Sequence, residues 1–200
     1  MSGPGRGART ALQKHVDFFD TNHDGKVTLA DTYRGFRRLG YDPVRSGVFA
    51  GVINAALGTS TSGFPSLTVA TRRIHVAKHK SDTGVFDKQG RFSAARFKRL
   101  FERHDKDGDG ALSGGELSRM LARNRIDLMG HMGSKAEFTL LFDLAGEMRH
   151  GQKVLTRERL GDFYNGSLFY RLADEIEGRV KPTPGRRRAA SSNKALEAHR

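Results

Sequence analysis

Oxygen-bearing side chains recur at alternate positions in the stretch DKDGDGALSGGE, which runs from Asp105 to Glu116. Aspartates stand at positions 1, 3 and 5, glycine at position 6, and a glutamate closes the stretch at position 12. This is the spacing of an EF-hand calcium loop, in which hard oxygen ligands surround the ion. The predicted ligands are Asp105, Asp107, Asp109, Ala111 through its carbonyl, Ser113 through a water, and Glu116.

A second stretch, DTNHDGKVTLAD, from Asp20 to Asp31, repeats this pattern with one change. Position 12 is aspartate instead of glutamate, and the shorter carboxylate reaches the ion less easily. We expect weaker calcium binding at this loop, or a site closer to the requirements of Mg²⁺. The predicted ligands are Asp20, Asn22, Asp24, Lys26 through its carbonyl, Thr28 and Asp31.

A histidine lies within the apolar face of the helix predicted before this first loop. The face repeats at i, i+3, i+4 and i+7 and consists of Leu12, His15, Val16 and Phe19. Such a histidine is commonly a core residue hydrogen-bonded to a carbonyl, although it also suits a functional role. A further pair, His75 and His79, is spaced i, i+4 and could hold zinc together. No third ligand stands nearby in the sequence, so a zinc site is the less favoured interpretation of this pair.

Helices must position the two loops, and apolar residues at helical spacing flank both of them. Two further stretches, 85–96 and 147–158, lack the acids but keep a hydrophobic residue at loop position 8, Phe92 and Val154. Paired loops exchange a short β-ladder at that position, so we expect these stretches to be the partners of the two acidic loops. The predicted fold is therefore mainly α, with EF-hand helix-loop-helix pairs, two calcium-competent loops, two degenerate partners and short β-ladders between loops.

An insertion separates the first loop from stretch 85–96. Its apolar run, Val48 to Leu57, is interrupted by Gly51 and Asn54. Ten helical residues span about 15 Å, against about 30 Å for the hydrocarbon core of a bilayer, so the run cannot cross a membrane. It is either a buried helix or hairpin, or a segment that inserts shallowly into one lipid leaflet.

The sequence divides into five predicted segments. They are a flexible N-terminus (1–11), the first EF-hand (12–42), the central apolar insertion with the histidine-containing segment (43–80), the second EF-hand region with its degenerate partners (81–178), and a basic disordered tail (179–200). The tail holds seven Lys or Arg against one acid, and the chain as a whole has a net charge of +13. Such a tail solubilises the protein or attracts anionic lipid.

Composition excludes several classes of protein. The chain has no cysteine, which rules out disulfides, thiolate metal sites and a thiolate-ligated haem. The first ten residues contain no apolar stretch of a signal peptide, so we expect an intracellular protein, cytoplasmic or peripherally associated with lipid, and not a secreted one. No nucleic-acid-binding motif accompanies the basic tail, so nucleic acid is not an expected partner.

Three separated blocks of the sequence belong together: LQKHVDFFDTNHDGKVTLADTYRGFRRLG, IHVAKHKSDTGVFDKQGRF and VLTRERLGDFYNGSLFYRL. Their order and approximate spacing resemble those of the caleosins, and the resemblance covers residues 12 to 175. Caleosins are calcium-binding proteins of lipid droplets, and some are haem peroxygenases. The resemblance implies that His15 and His79 are a haem-associated pair.

The resemblance further implies an activity. A haem held by one imidazole would take an oxygen atom from a lipid hydroperoxide and pass it to an oxidisable lipid such as an unsaturated fatty acid. One histidine would be proximal, and the other would act as an acid/base or as a displaceable ligand. The alternative is a non-enzymatic EF-hand calcium sensor that binds a lipid or protein partner.

Two departures from the plant members bear on these expectations. The apolar centre is short and has a single local proline, Pro65, where plant caleosins carry a longer run with a proline-rich knot. Droplet anchoring in that manner is therefore not expected. The second loop is fully acidic here, so calcium should matter more in this protein.

Overall fold

The computed structural model describes residues 9–77, 84–86, 91–123 and 139–179. This part of the chain is mainly helical, with two small antiparallel sheets, as the sequence predicts. None of its helices combines the length and the hydropathy that crossing a membrane requires. The helices are α1 (Ala11–Phe19), α2 (Leu29–Arg38), α3 (Pro43–Ser62), a 3-10 helix (Thr71–Ala77), α4 (Ala94–His104), α5 (Gly114–Arg123), α6 (residues 139–145), α7 (Arg157–Asn165) and α8 (Leu168–Ile176).

Local sequence signals fix where these helices begin. A capping box, in which the N-cap hydroxyl and the third side chain satisfy each other's backbone donors, starts α1 at Thr10 and α2 at Thr28. Asp42 caps α3, which has proline at its first position and ends at Gly63 with φ of 80°. These caps place α1 and α2 on either side of the first acidic loop.

The second acidic loop lies in a three-stranded sheet. The strands are β3 (Ala111–Ser113), β4 (Glu147–Arg149) and β5 (Gln152–Thr156), in the order β3-β5-β4. Leu112 lies opposite Leu155, and Ser113 lies opposite Val154. Stretch 147–158 therefore lies beside this loop, with Val154 one residue away from facing Leu112.

The first acidic loop has a different neighbour from the one that the sequence predicted. Strand β1 (Lys26–Val27) pairs with β2 (Val69–Ala70), which follows α3. Phe92 instead forms an isolated bridge with Phe86 in its own stretch. The prediction that stretch 85–96 pairs with the first loop is wrong, because the insertion returns against that loop and fills the position.

Small residues allow this return. A Cβ on Gly58 of α3 would lie 2.3 Å from the carbonyl oxygen of Ser66, so only glycine lets the loop after α3 approach so closely. Thr61, also on α3, accepts a hydrogen bond from the amide of Ala70 at 3.1 Å. The insertion is thus a helix that folds back onto the first loop and buries only one of its faces.

Helix α3 buries its polar and small residues and exposes its valines. The buried face has a helical period and consists of Ser46, Ala50, Asn54, Gly58 and Thr61. The opposite face carries Val44, Val48 and Val52, with 75%, 57% and 65% of their surface exposed. This inversion of the usual pattern leaves an apolar face without a covering element in the described structure.

Two apolar clusters hold the helices together. The larger one gathers residues from α1, α2 and α4 to α8, and aromatic side chains such as Phe18, Phe36 and Phe101 lie at its centre. The smaller one joins α1, β1, β2 and the 3-10 helix through Val16, Val27, Val69 and Ile74. The first loop and the insertion therefore share a core of their own.

Candidate calcium loops and the histidine site

Three carboxylates converge in the second loop. Asp105, Asp107 and Asp109 each offer an oxygen, and these oxygens lie within 4.8 Å of one another. Backbone amides orient two of them: Gly110 donates to Asp105 Oδ2 at 3.2 Å and Ala111 donates to Asp109 Oδ1 at 2.7 Å. Asp105 Oδ1 is buried and has no hydrogen-bond partner in the described structure. An orphaned carboxylate oxygen inside a group of acids fits a cation.

Glu116 closes this loop and is buried. It accepts hydrogen bonds from the Lys106 amide at 2.8 Å, and from the Ser113 amide and hydroxyl at 3.0 and 2.8 Å. Burial disfavours its charge, but these hydrogen bonds outweigh burial, so the pKa of the carboxyl is lowered from its ordinary value. Glu116 is therefore ionised at neutral pH, as a calcium ligand must be.

The first loop has the same backbone turn, but its carboxylate oxygens are engaged by hydrogen bonds and by an ion pair. Asp20 is buried and accepts from the amides of Asp24 and Gly25, both at 3.1 Å. Asp31 accepts from the Thr28 amide and hydroxyl and forms an ion pair with Arg34 at 2.5 Å. Burial opposes the charge of Asp31, yet the hydrogen bonds from Thr28 and the Arg34 guanidinium lower its pKa. An ion at this loop must compete with Arg34 for the closing carboxylate.

The sequence did not anticipate this role of Arg34. Its place three residues after Asp31 on a helix is the signal that could have shown it, because side chains at i and i+3 are neighbours.

His15 lies on α1 against the corner between α7 and α8. Its Nε2 lies 3.0 Å from the carbonyl oxygen of Phe163, which can only accept, so Nε2 carries the proton and the lone pair is on Nδ1. The ring contacts Phe163 and Phe169, with centroids 5.1 and 5.0 Å apart. Burial lowers the pKa of His15 to about 4, the hydrogen bond to Phe163 opposes this in part, and the positive charge of Lys14 adds to it. The imidazole is therefore neutral at physiological pH.

In this arrangement His15 could hold a haem iron only through Nδ1, because Nε2 donates to the Phe163 carbonyl. The ring nitrogen Nε2 is already bonded, and two aromatic rings contact the imidazole. Two cavities among the described residues, of about 630 and 390 Å³, are lined by residues other than His15. His79 lies outside the described residues. The zinc site that would join it to His75 therefore stays a prediction.

Comparison with known proteins establishes the family. Residues 7–173 match the family described as "Caleosin related protein". The chain belongs to the caleosin family.

This caleosin is similar to plant proteins named as peroxygenases. "Probable peroxygenase 4" of Arabidopsis thaliana is 36% identical over 167 residues, which cover 80% of this chain and 84% of that protein. "Peroxygenase" of Lilium longiflorum is 35% identical over 178 residues, covering 86% and 73% respectively. A "Probable inactive peroxygenase-like protein" of Arabidopsis thaliana is 34% identical over 92 residues, 45% of this chain and 43% of that protein. The resemblance read from the three sequence blocks is thus confirmed.

The environment of His15 predicts how stability changes with acid. An unfolded chain takes up a proton on histidine near pH 6.5, whereas folded His15 stays neutral down to about pH 4. The titration of His15 therefore leaves the free energy of unfolding unchanged above pH 6.5 and lowers it, by up to about 3 kcal/mol, as the pH drops from 6.5 to 4. The His15→Gln variant keeps a donor for the Phe163 carbonyl but does not titrate, so it should lose less stability over this range. Urea unfolding at pH 7, 5.5 and 4.2 measures the difference, and equal losses in both proteins would contradict the assignment.

Proposed function

We propose that this caleosin is a calcium-binding peroxygenase that transfers oxygen from a lipid hydroperoxide to an oxidisable lipid. The observation that carries the proposal is the match along most of the chain to relatives named as peroxygenases. Lipid hydroperoxides and unsaturated fatty acids are the substrate classes that we infer for it. The balance of such a reaction is that the hydroperoxide leaves as an alcohol and its second oxygen becomes part of the acceptor.

Calcium would be held by the two acidic loops. In the second loop, the ligands would be Asp105, Asp107, Asp109, the Ala111 carbonyl, Ser113 through a water, and Glu116. In the first loop, they would be Asp20, Asn22, Asp24, the Lys26 carbonyl, Thr28 and Asp31. The convergent carboxylates and the orphaned Asp105 oxygen support the second site most strongly.

The proposal includes His15 and His79 as the haem-associated pair that the family resemblance implies. The described contacts restrict how His15 could take part, because Nε2 is hydrogen-bonded to the Phe163 carbonyl and the rings of Phe163 and Phe169 contact the imidazole, which leaves Nδ1 as its free nitrogen. We therefore derive no chemical step through a haem. The pair is a hypothesis about binding that spectroscopy can decide.

The competing function is a calcium-responsive binding protein without a redox cofactor. Two acidic loops suit this function equally well. The hydrogen-bonded core position of His15 favours it, since such a histidine needs no cofactor to explain it. The two functions differ in whether the purified protein acquires a haem spectrum.

We also propose that the exposed face of α3 contacts lipid peripherally. Val44, Val48 and Val52 are exposed on one side of this helix, and the following loop exposes Phe64 and Leu67. Residues 43–77 contain no acidic residue but include Arg45, Arg72 and Arg73. Apolar residues beside basic ones are typical of a surface that binds anionic lipid without crossing it.

The second loop should bind calcium more tightly than the first. Its closing residue is glutamate, and in the first loop Arg34 holds the closing aspartate. In calorimetric titrations, Glu116→Gln should weaken the tighter event roughly tenfold or more, while Asp31→Asn should affect only the weaker event. The ranking is wrong if Asp31→Asn removes the tighter event and Glu116→Gln does not.

Haem binding at the histidine pair is tested with variants that preserve folding. His15→Gln keeps a donor toward Phe163, and His79→Gln changes only the second histidine. Wild-type protein titrated with haem should develop a Soret band and oxygenate an unsaturated fatty acid with a lipid hydroperoxide, and each variant should lose both properties. Calcium titration and thermal unfolding should be nearly unchanged, because neither histidine is a predicted calcium ligand.

Two other outcomes have clear meanings. Wild-type protein that stays colourless with haem and inert toward hydroperoxides would leave the calcium-responsive binding protein as the function. A wild-type spectrum that persists in His15→Gln would place the haem away from His15.

Lipid contact by α3 predicts that charge on its exposed face weakens membrane binding. The double variant Val48→Glu/Val52→Glu should reduce flotation with phosphatidylserine-containing vesicles about tenfold or more, and high salt should reduce flotation of the wild type. Met148→Glu is the matched control, because Met148 is an exposed apolar residue at β4, beside the second loop. Retention on neutral vesicles at high salt would instead indicate an inserted anchor.

A further inference from the structure

Each acidic loop lies against a second helix-loop-helix segment. For the second loop this segment is α6, the β4–β5 hairpin and α7. For the first loop it is α3, the loop carrying β2, and the 3-10 helix, that is, residues 43–77. Residues 43–77 contain no Asp or Glu, so this segment has no carboxylate with which to hold a cation. Any effect that it has on calcium must pass through its contacts with the first loop.

Asn54 is the polar centre of those contacts. Its side chain is fully buried on α3. The amide nitrogen donates to the carbonyl of Val27 at 3.0 Å and to the carbonyl of Leu67 at 2.8 Å. The amide oxygen accepts from the hydroxyl of Thr32 at 2.5 Å. One side chain thus ties strand β1, helix α2 and the loop before β2 to α3.

Two of these contacts adjoin predicted calcium ligands. Val27 lies between Lys26 and Thr28 in the loop, and Thr32 directly follows Asp31 on α2. Asn54 therefore fixes the backbone on both sides of the closing turn of the loop. A buried amide that satisfies three partners is costly to replace, because each partner would be left unpaired.

The first residue of the 3-10 helix is hydrogen-bonded to the same loop. The amide of Thr71 donates to the carbonyl of Gly25 at 3.0 Å, next to the Lys26–Ala70 pair of the ladder. Ile74 of this helix is buried in the small cluster with Val16, Val27 and Val69. The start of the 3-10 helix, the loop backbone and helix α1 are therefore packed as one unit.

We propose that residues 43–77 are the calcium-free partner of the first loop and that Asn54 couples calcium binding in that loop to the order of the 3-10 helix. Asn54 is a positioning residue in this account and does not touch the ion. Calcium holds the loop backbone at Gly25 to Val27, and Asn54, bonded to the carbonyls of both Val27 and Leu67, keeps β2 and Thr71 aligned with that backbone. The inference rests on the proposed binding of calcium to the first loop, and it adds a route by which that binding reaches residues 69–77.

Hydrogen exchange measured by mass spectrometry on the full chain, with and without calcium, tests this coupling. In the wild type, calcium should slow exchange at least about fivefold in peptides from 20–31 and from 69–77. In Asn54→Leu, calcium should still slow exchange in 20–31 but no longer in 69–77. Peptides from 105–116 report the second loop and should respond in every variant.

Ser46→Ala is the matched control, because Ser46 is also buried and polar on α3 but donates to Asp42 and not to the loop. It should behave as the wild type. If Asn54→Leu does not fold by circular dichroism, Thr32→Val takes its place, since it removes only the donor to the Asn54 oxygen, and it should at least halve the calcium effect on 69–77.

The outcomes separate the inference from the proposed function. If calcium slows exchange in 20–31 but not in 69–77 of the wild type, or slows both equally in Asn54→Leu, the coupling is wrong while the calcium site stands. If calcium slows exchange in neither peptide, the proposed first calcium site fails, and the coupling fails with it.

Discussion

Backbone pairing between loops is the constraint on which this structure depends. A loop that gathers several carboxylates repels itself, and a strand of two or three residues has too few hydrogen bonds to stand alone. Each acidic loop is therefore held by a neighbouring strand that carries no acidic residue: β5 beside the second loop and β2 beside the first. These two ladders fix which segment lies beside each acidic loop, and the two apolar clusters hold the helices around them.

The two ladders are supported in different ways. The second lies in a three-stranded sheet above the larger apolar core. The first has only two strands, and its support comes from the smaller apolar cluster together with Asn54, Thr61 and the close approach at Gly58. The hydrogen bonds of the buried Asn54 side chain are specific in geometry, since they satisfy all of their partners in one arrangement only. This explains why α3 buries an asparagine against the first loop.

Much of this could be read from the sequence, and what could not has physical reasons. The acidic loops were evident because ligand chemistry dictates residue types at fixed spacing, and stretch 147–158 was found through its hydrophobic residue at position 8. The partner of the first loop was not predicted, because the segment that leads to Val69 and Ala70 has neither the acidic residues nor the position-6 glycine of an EF-hand loop. Stretch 85–96 does have a glycine at that position, so it resembled an EF-hand loop more closely. The helical period of Ser46, Ala50, Asn54, Gly58 and Thr61 was available as a signal, but an apolar run is usually read by its valines and leucines. For His15, the apolar-face position allowed two interpretations, and only the distance to the Phe163 carbonyl shows the hydrogen bond.

The caleosin family match and the proposed oxygen transfer make one direct measurement decisive. Haem-reconstituted protein would be incubated with an unsaturated fatty acid and a lipid hydroperoxide labelled with ¹⁸O in both peroxide oxygens, and the products would be examined by mass spectrometry. A peroxygenase places one labelled oxygen in the fatty acid product and leaves the other in the alcohol derived from the hydroperoxide. Unlabelled product, or no oxygenated product from protein that binds calcium normally, would contradict the proposed activity.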